Sequence, residues 1–198
     1  MKSICVYCGS SPGASPVYAE AARALAGQMV QENIALVYGG GNVGLMGIVA
    51  SEVMRLGGQA TGVIPHALLD KELGHHGLTE LHVVKDMHER KALMAELSDG
   101  FIAMPGGMGT LEELFEVLTW AQLGFHAKPV ALFNVDGFYG LLIAFMEHMV
   151  TQRFVSAEQA LLMMHETDAV ALITRLQQFT PTYRSKWHDP EAVQNLLP

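Results

Sequence analysis

Cationic side chains are scarce in this chain. Lys and Arg number 12 against 20 Asp and Glu, for a formal net charge of −8, and they stand singly rather than in clusters. A nucleic-acid groove or an anionic membrane surface needs the opposite balance, so neither is expected as a partner and a small molecule is. Long apolar runs are missing too: none reaches the roughly 20 residues that cross a bilayer. Met1-Lys2-Ser3-Ile4 leads directly into a strand pattern, with no charged and then apolar leader before it, so a cytoplasmic location is expected. There are only 2 cysteines. They form a nominal C-x-x-C, Cys5-Val6-Tyr7-Cys8, but within a strand, positions three apart face opposite ways; two buried, unpaired thiols are expected instead of a redox pair. His75-His76 has no H-x-H or H-E-x-x-H company, and no metal site is expected.

What the chain does have is apolar content, 50% of 198 residues, enough for one sizeable core. Strand-like runs at Ser3–Tyr7, Ile34–Tyr38, Ala60–Ile64, Leu81–Val84, Gly100–Met104, Lys128–Phe133 and Ala160–Met164 alternate with helical patterns. The latter run from Pro16 to Gln31, up to about Leu56, from an Asp86 N-cap to Leu97, through Leu114, Val117, Leu118, Trp120 and Leu123 to a stop at Gly124, over 136–150, and from Asp168 to Phe179. Nearly continuous apolar strands between helices predict an α/β fold, a parallel sheet covered on both faces. One domain is expected over 1–180, with a polar tail at 181–198 and an irregular surface loop from Pro65 to Thr79.

Met104-Pro105-Gly106-Gly107-Met108-Gly109-Thr110-Leu111-Glu112-Glu113 organises the rest. It runs from a strand through a glycine turn into a helix, where unpaired backbone N–H groups can take a phosphate, and it sets two carboxylates in what reads as the helix's first turn. A competing reading makes Thr110 and Glu113 a capping box. A second glycine loop, Gly39-Gly40-Gly41-Asn42-Val43-Gly44, fits G-x-G-x-x-G, but its next strand ends in Pro65-His66 without the acid that a dinucleotide ribose would require. Gly40 and Gly41 then remain candidates for a phosphate or ribose cradle, with tight helix-to-sheet packing as the alternative. Gly9-Ser10-Ser11-Pro12-Gly13 matches a nucleophile elbow in letters but follows the first strand, which leaves Ser10 in a polar loop lining a site. Arg90 and Lys91 sit one turn inside a helix N-terminus, where the dipole disfavours cations, so an anionic neighbour is expected; Ala92, Leu93, Ala95 and Leu97 form the inward stripe.

The set Cys8-Gly9-Ser10, Gly39-Gly40-Gly41 with Gly44-Leu45-Met46-Gly47, Met87-His88-Glu89-Arg90-Lys91, and Pro105-Gly106-Gly107-Met108-Gly109-Thr110-Leu111-Glu112-Glu113 resembles the Lonely Guy (LOG) family of cytokinin riboside 5′-monophosphate phosphoribohydrolases, over roughly residues 2 to 180. The resemblance implies a Rossmann-like, doubly wound homodimer that cleaves the N-glycosidic bond of a nucleoside 5′-monophosphate without a cofactor. It implies Arg90 and Glu113 as catalytic residues, and substrate contacts at Glu72, Lys91, Gly107, Met108, Gly109, Thr110, Leu111, Glu112 and Thr119, to which the direct reading adds Gly106. The lysine decarboxylase label attached to some relatives finds no Schiff-base lysine here. Two other readings stay open, a general AMP nucleosidase and a non-catalytic nucleotide or pterin-cofactor carrier. Met87, Met108 and Trp120 are candidates to receive a prenyl tail, with core packing favoured for Met87 and Trp120.

Overall fold

The computed structural model describes residues 1–69, 74–75 and 77–181. In chain order the elements are β1 (Ser3–Tyr7), α1 (Pro16–Gln31), β2 (Ala35–Tyr38), α2 (Gly44–Arg55), β3 (Ala60–Pro65), α3 (His66–Leu69), β4 (Glu80–Val84), α4 (Met87–Glu96), β5 (Phe101–Ala103), α5 (Met108–Leu123), β6 (Val130–Phe133), α6 (Gly140–Thr151), α7 (Ala157–Ala160), β7 (Met163–Glu166) and α8 (Ala169–Gln177). The expected tail from 182 onward, and Lys71, Glu72 and His76 in the irregular loop, lie outside the described residues.

The seven strands form one parallel sheet in the order β4-β3-β2-β1-β5-β6-β7. Strand β1 is the hinge of this order: Cys5 pairs with Val37 of β2 on one side and Phe101 of β5 on the other. Successive strand residues face opposite layers, and both layers are apolar. Ile4, Val6, Leu36, Tyr38 and Ile102 meet α1, α2 and α8, whereas Cys5, Tyr7, Val37, Phe101 and Leu132 meet α4 and α5. Cys5 and Cys8 accordingly end in different layers, each buried and free.

Local chemistry explains most boundaries. The Ser15 hydroxyl accepts from the Val17 N–H and Pro16 opens α1, whose Ala22, Leu25, Ala26 and Met29 point into the core. Asp86 caps α4 through the His88 and Glu89 N–H groups, and Gly124 ends α5 in the left-handed conformation at φ 81°. The last strand differs from expectation. Ser156 and Gln159 form a capping box that winds Ala157–Ala160 into a helical turn, which pushes β7 down to Met163–Glu166.

A sheet whose strand order turns back at β1 opens a crevice outside the carboxyl ends of β1 and β5, because their following connections leave toward opposite faces. The organising glycine stretch follows β5.

Candidate active site

Main-chain contacts bind three loops together at this crevice. The Gly9 N–H, after β1, donates to the Pro105 carbonyl after β5 at 3.1 Å, and the Leu45 N–H at the start of α2 donates to the Gly9 carbonyl at 3.0 Å. Gly106 has no space for a side chain: a Cβ there would lie 2.1 Å from Thr110 Oγ1 and 2.8 Å from the Gly9 nitrogen.

Helix α5 begins earlier than the sequence suggests. Its N-cap is Gly107, in extended conformation with no side-chain cap, and its first intrahelical bond runs from the Leu111 N–H to the Gly107 carbonyl. The Thr110–Glu113 capping box therefore does not form, and no acid lies in the first turn; Glu112 and Glu113 come one turn later. The N–H groups of Met108, Gly109 and Thr110 precede the first helical bond, and Gly107, Met108 and Gly109 are open to solvent. An anion fits there.

Glu113 is half-buried, on the face of α5 that also carries the buried Thr110 and Leu114. After burial itself, its charge is the main influence raising the Cys5 and Cys8 thiols, and it also raises the Tyr7 phenol, so the carboxylate is within electrostatic reach of β1. Arg90 acts on Cys5 in the opposite sense. Both charges are thus felt at Cys5, Glu113 from α5 and Arg90 from α4.

Helix α4 buries its cations. Arg90, Lys91, Met94 and Ala95 are inside, while Ala92 and Leu97 are exposed, a correction to the stripe read from apolar spacing. Among the described residues the Arg90 guanidinium is held by carbonyls: Nε donates to the Val63 carbonyl at 3.1 Å, and Nη2 to the Gly39 carbonyl at 2.9 Å. Lys91 does meet acids, since Nζ donates to Glu112 and, at 2.9 Å, to Glu116. Burial works against the charged ammonium, but these two carboxylates outweigh it and hold the Lys91 pKa above its usual value.

The remaining candidates are spread around this centre. Ser10 is exposed at the mouth of the β1 loop, whereas Gly40 and Gly41 are buried, the Gly40 carbonyl accepting from the His75 N–H and Gly41 bridging to Gly74. Leu111 packs at the edge of the core and Thr119 bonds back to the Phe115 carbonyl at 2.6 Å. Met87 is partly exposed with its sulfur 3.7 Å from Arg90 Nη1, not packed in the core; Met108 is exposed and Trp120 half-buried against the α5 layer. Glu72 lies outside the described residues.

Two contributors escaped the sequence reading. Glu116 follows Glu112 by one helical turn, a spacing that could have revealed it as the second partner of Lys91. Tyr139 carried no signal, yet its hydroxyl donates to the Met104 carbonyl at 2.6 Å and fixes the strand end that feeds the glycine turn. A separate cleft of about 280 Å³ between α1 and α2, lined by Arg23, Asn42, Ser51 and Arg55 among others, includes neither Arg90 nor Glu113.

Comparison with known proteins bears on this arrangement. The profile of a family described as "possible lysine decarboxylase" matches residues 46–176. Cytokinin riboside 5′-monophosphate phosphoribohydrolase LOG5 of Arabidopsis thaliana is 46% identical over 198 aligned residues, covering 98% of this chain and 87% of that protein. The chain belongs to the LOG family. Within the LOG family, the probable cytokinin riboside 5′-monophosphate phosphoribohydrolase LOGL5 of Oryza sativa subsp. japonica is 49% identical over 193 residues, covering 98% of this chain and 77% of that protein. Among solved structures, the molybdenum cofactor carrier protein of Chlamydomonas reinhardtii superposes with a TM-score of 0.66 at 18% identity, covering 89% of this chain and 98% of that one. The molybdenum cofactor binding protein of Rippkaea orientalis gives a TM-score of 0.66 at 21% identity over 89% of this chain and 96% of that one. At such identities the likeness is one of fold, which the LOG family shares with these carriers.

Proposed function

We propose that this chain hydrolyses the N-glycosidic bond of cytokinin riboside 5′-monophosphates, and of AMP, to release an adenine-type base and ribose 5-phosphate. The observation that carries the reading is the open, uncapped N-terminus of α5, with Glu113 one turn inside it and the Arg90 guanidinium buried at the carboxyl ends of β2 and β3. In the proposed reaction the 5′-phosphate is held by the N–H groups of Met108, Gly109 and Thr110, which fixes the ribose beside Glu113. The bond from C1′ to the base nitrogen breaks with its electron pair leaving on the base, and positive charge develops on the ribosyl carbon. The Glu113 carboxylate stabilises that charge and takes a proton from the attacking water, whose oxygen becomes the new hydroxyl on C1′. The Arg90 guanidinium stabilises the negative charge on the departing purine, which then collects its proton from solvent.

The chemistry named in the family description fits less well. A Schiff-base lysine must lose its proton easily, whereas Lys91 is held charged by two carboxylates.

The proposed working unit is a cytoplasmic homodimer. Among the described residues no helix is long and apolar enough to cross a membrane. Helix α6, GLLIAFMEHMVT, buries none of its residues and exposes Leu141 and Phe145, with Phe154 exposed just beyond it. An apolar face of that kind suits a second copy of the chain. Light scattering on Leu141→Asp/Phe145→Asp is expected to read a monomer where the unaltered chain reads a dimer; an unchanged mass would place the interface elsewhere.

The test of function is chromatography of free base and ribose 5-phosphate released from AMP and from isopentenyladenosine 5′-monophosphate, with adenosine alongside. Release from both nucleotides, and little from adenosine, is expected; the ratio of kcat/KM then separates a cytokinin enzyme from an AMP nucleosidase. Tight nucleotide binding with no release would overturn hydrolysis in favour of a carrier.

A further inference from the structure

Arg90 owes its position to main-chain groups. Its Nε is bound to the end of β3 through Val63, its Nη2 to the end of β2 through Gly39, and Nη1 lies 3.7 Å from Met87 Sδ. Those contacts leave a further N–H on each of Nη1 and Nη2. Arg90 as a whole is 6% exposed, and its guanidinium is tied to two strand ends at once, which leaves it little freedom to reorient.

This berth exists because residue 39 has no side chain. A Cβ at Gly39 would fall 2.0 Å from Arg90 Nη2 and 3.1 Å from Cζ, far inside contact distance. The next neighbour, Met46 Sδ at 3.3 Å, is a flexible thioether end that can give way. Backbone conformation does not demand glycine at this position: Gly40 and Gly44 have positive φ, but Gly39 does not. Of the two uses a glycine can serve, only the close approach applies, and what approaches is the guanidinium.

We infer that Gly39 is a positioning residue for the reaction, holding the Arg90 guanidinium in place by the absence of its own Cβ. The inference rests on the role proposed above for Arg90. It differs from the phosphate or ribose cradle read for the neighbouring glycines, because Gly39 acts through Arg90 and need not touch the nucleotide. Alanine at 39 must push the guanidinium off the Gly39 carbonyl, and with it the remaining N–H groups to which the proposed reaction assigns the departing base.

The experiment is a double-mutant cycle of Gly39→Ala and Arg90→Ala, read as kcat and KM for AMP release and as melting temperature. Gly39→Ala alone is expected to lower kcat by about 100-fold, close to the effect of Arg90→Ala, with a smaller change in KM. In the Arg90→Ala background, where the clash is gone, Gly39→Ala should change kcat by less than about 2-fold and cost no further melting temperature. A second readout is independent of turnover: in protein labelled with ¹⁵N-arginine, the Arg90 Nε–H resonance, identified by its loss in Arg90→Lys, should be slow to exchange and should shift in Gly39→Ala. Multiplicative kinetic effects, or an unchanged Nε–H resonance, overturn the inference. An unaltered kcat in Arg90→Ala would instead overturn the proposed role of Arg90, while the Nε–H resonance would still report the contact with residue 39.

Discussion

Replacing Lys91 by methionine removes the ammonium group and keeps most of the stem, so the change isolates the ion pairs that tie α4 to α5. The Lys91 side chain is 9% exposed, against 24% for Glu116 and 54% for Glu112. Coulomb's law over the 2.9 Å to Glu116 gives about 1.4 kcal/mol in a water-like medium and about 6 kcal/mol at an effective dielectric of about 20. Desolvation of the ammonium cancels several kcal/mol of the larger figure, and water and salt screen most of what Glu112 adds. Removing the cation also leaves two carboxylates facing the same spot. The net cost is about 2 kcal/mol, which for a chain of this size lowers Tm by about 4–8 °C. Because the Lys91 pKa is raised, its contribution is complete below the usual value of 10.5 and fades only as pH climbs through the higher folded value. The loss should therefore be equal at about pH 6 and about pH 9. Thermal and urea melts of Lys91→Met, Glu116→Gln and the pair are expected to give a coupling of about 1 kcal/mol or more. A Tm within about 1 °C of the unaltered chain, or coupling near zero, would refute the reasoning and return Lys91 to the substrate alone.

Glu113→Gln should keep nucleotide binding and lower kcat about 10²- to 10⁴-fold, whereas Arg90→Ala should damage both; normal base release from Glu113→Gln would move the catalytic carboxylate elsewhere. Tyr139→Phe leaves the buried Met104 carbonyl without its hydroxyl donor and should cost about 1–2 kcal/mol in a urea melt, an unchanged midpoint showing that another donor takes over. Asp99 accepts from the Lys2 N–H at 2.6 Å and the Ser3 N–H at 3.3 Å, and the first of these bonds chiefly depresses its pKa below the usual 3.8. That contribution is present above the usual value and lost as pH falls through the folded one, so Asp99→Asn should flatten the acid limb of the stability curve below about pH 4; an unaltered limb would sink the assignment.

Much of the fold is legible in the sequence because its signals are local. Ser15, Pro16 and the spacing of Ala22, Leu25, Ala26 and Met29 define α1, and Gly124 defines the end of α5. What escaped depends on distant parts of the chain. Apolar spacing turns Ala92 and Leu97 of α4 inward, but α4 instead buries Arg90 and Lys91, whose partners lie just past β2, on β3 and on α5. No local rule shows that a carbonyl 51 positions away will receive a guanidinium. Thr110 read as a cap because a hydroxyl three residues before a glutamate usually is one; the extended backbone at Gly107 starts the helix first. The candidate site was legible as a set of glycine loops and charges, and the contacts that fix those charges were not.

The strand order carries a consequence for synthesis. Strand β1 is made first yet sits mid-sheet, and it waits for β5 until three other strands have been made. At about 5–20 residues per second, the half-sheet β4-β3-β2-β1 spends seconds on the ribosome with one parallel edge bare. The berth of Arg90, the Val63 and Gly39 carbonyls, belongs to that early half, and Glu113 to the late one. A chain ending before β5 would contain Arg90 and both carbonyls of its berth but not Glu113. Capacity for the reaction arrives with α5, after β5 has joined β1 and before β6 and β7 complete the sheet.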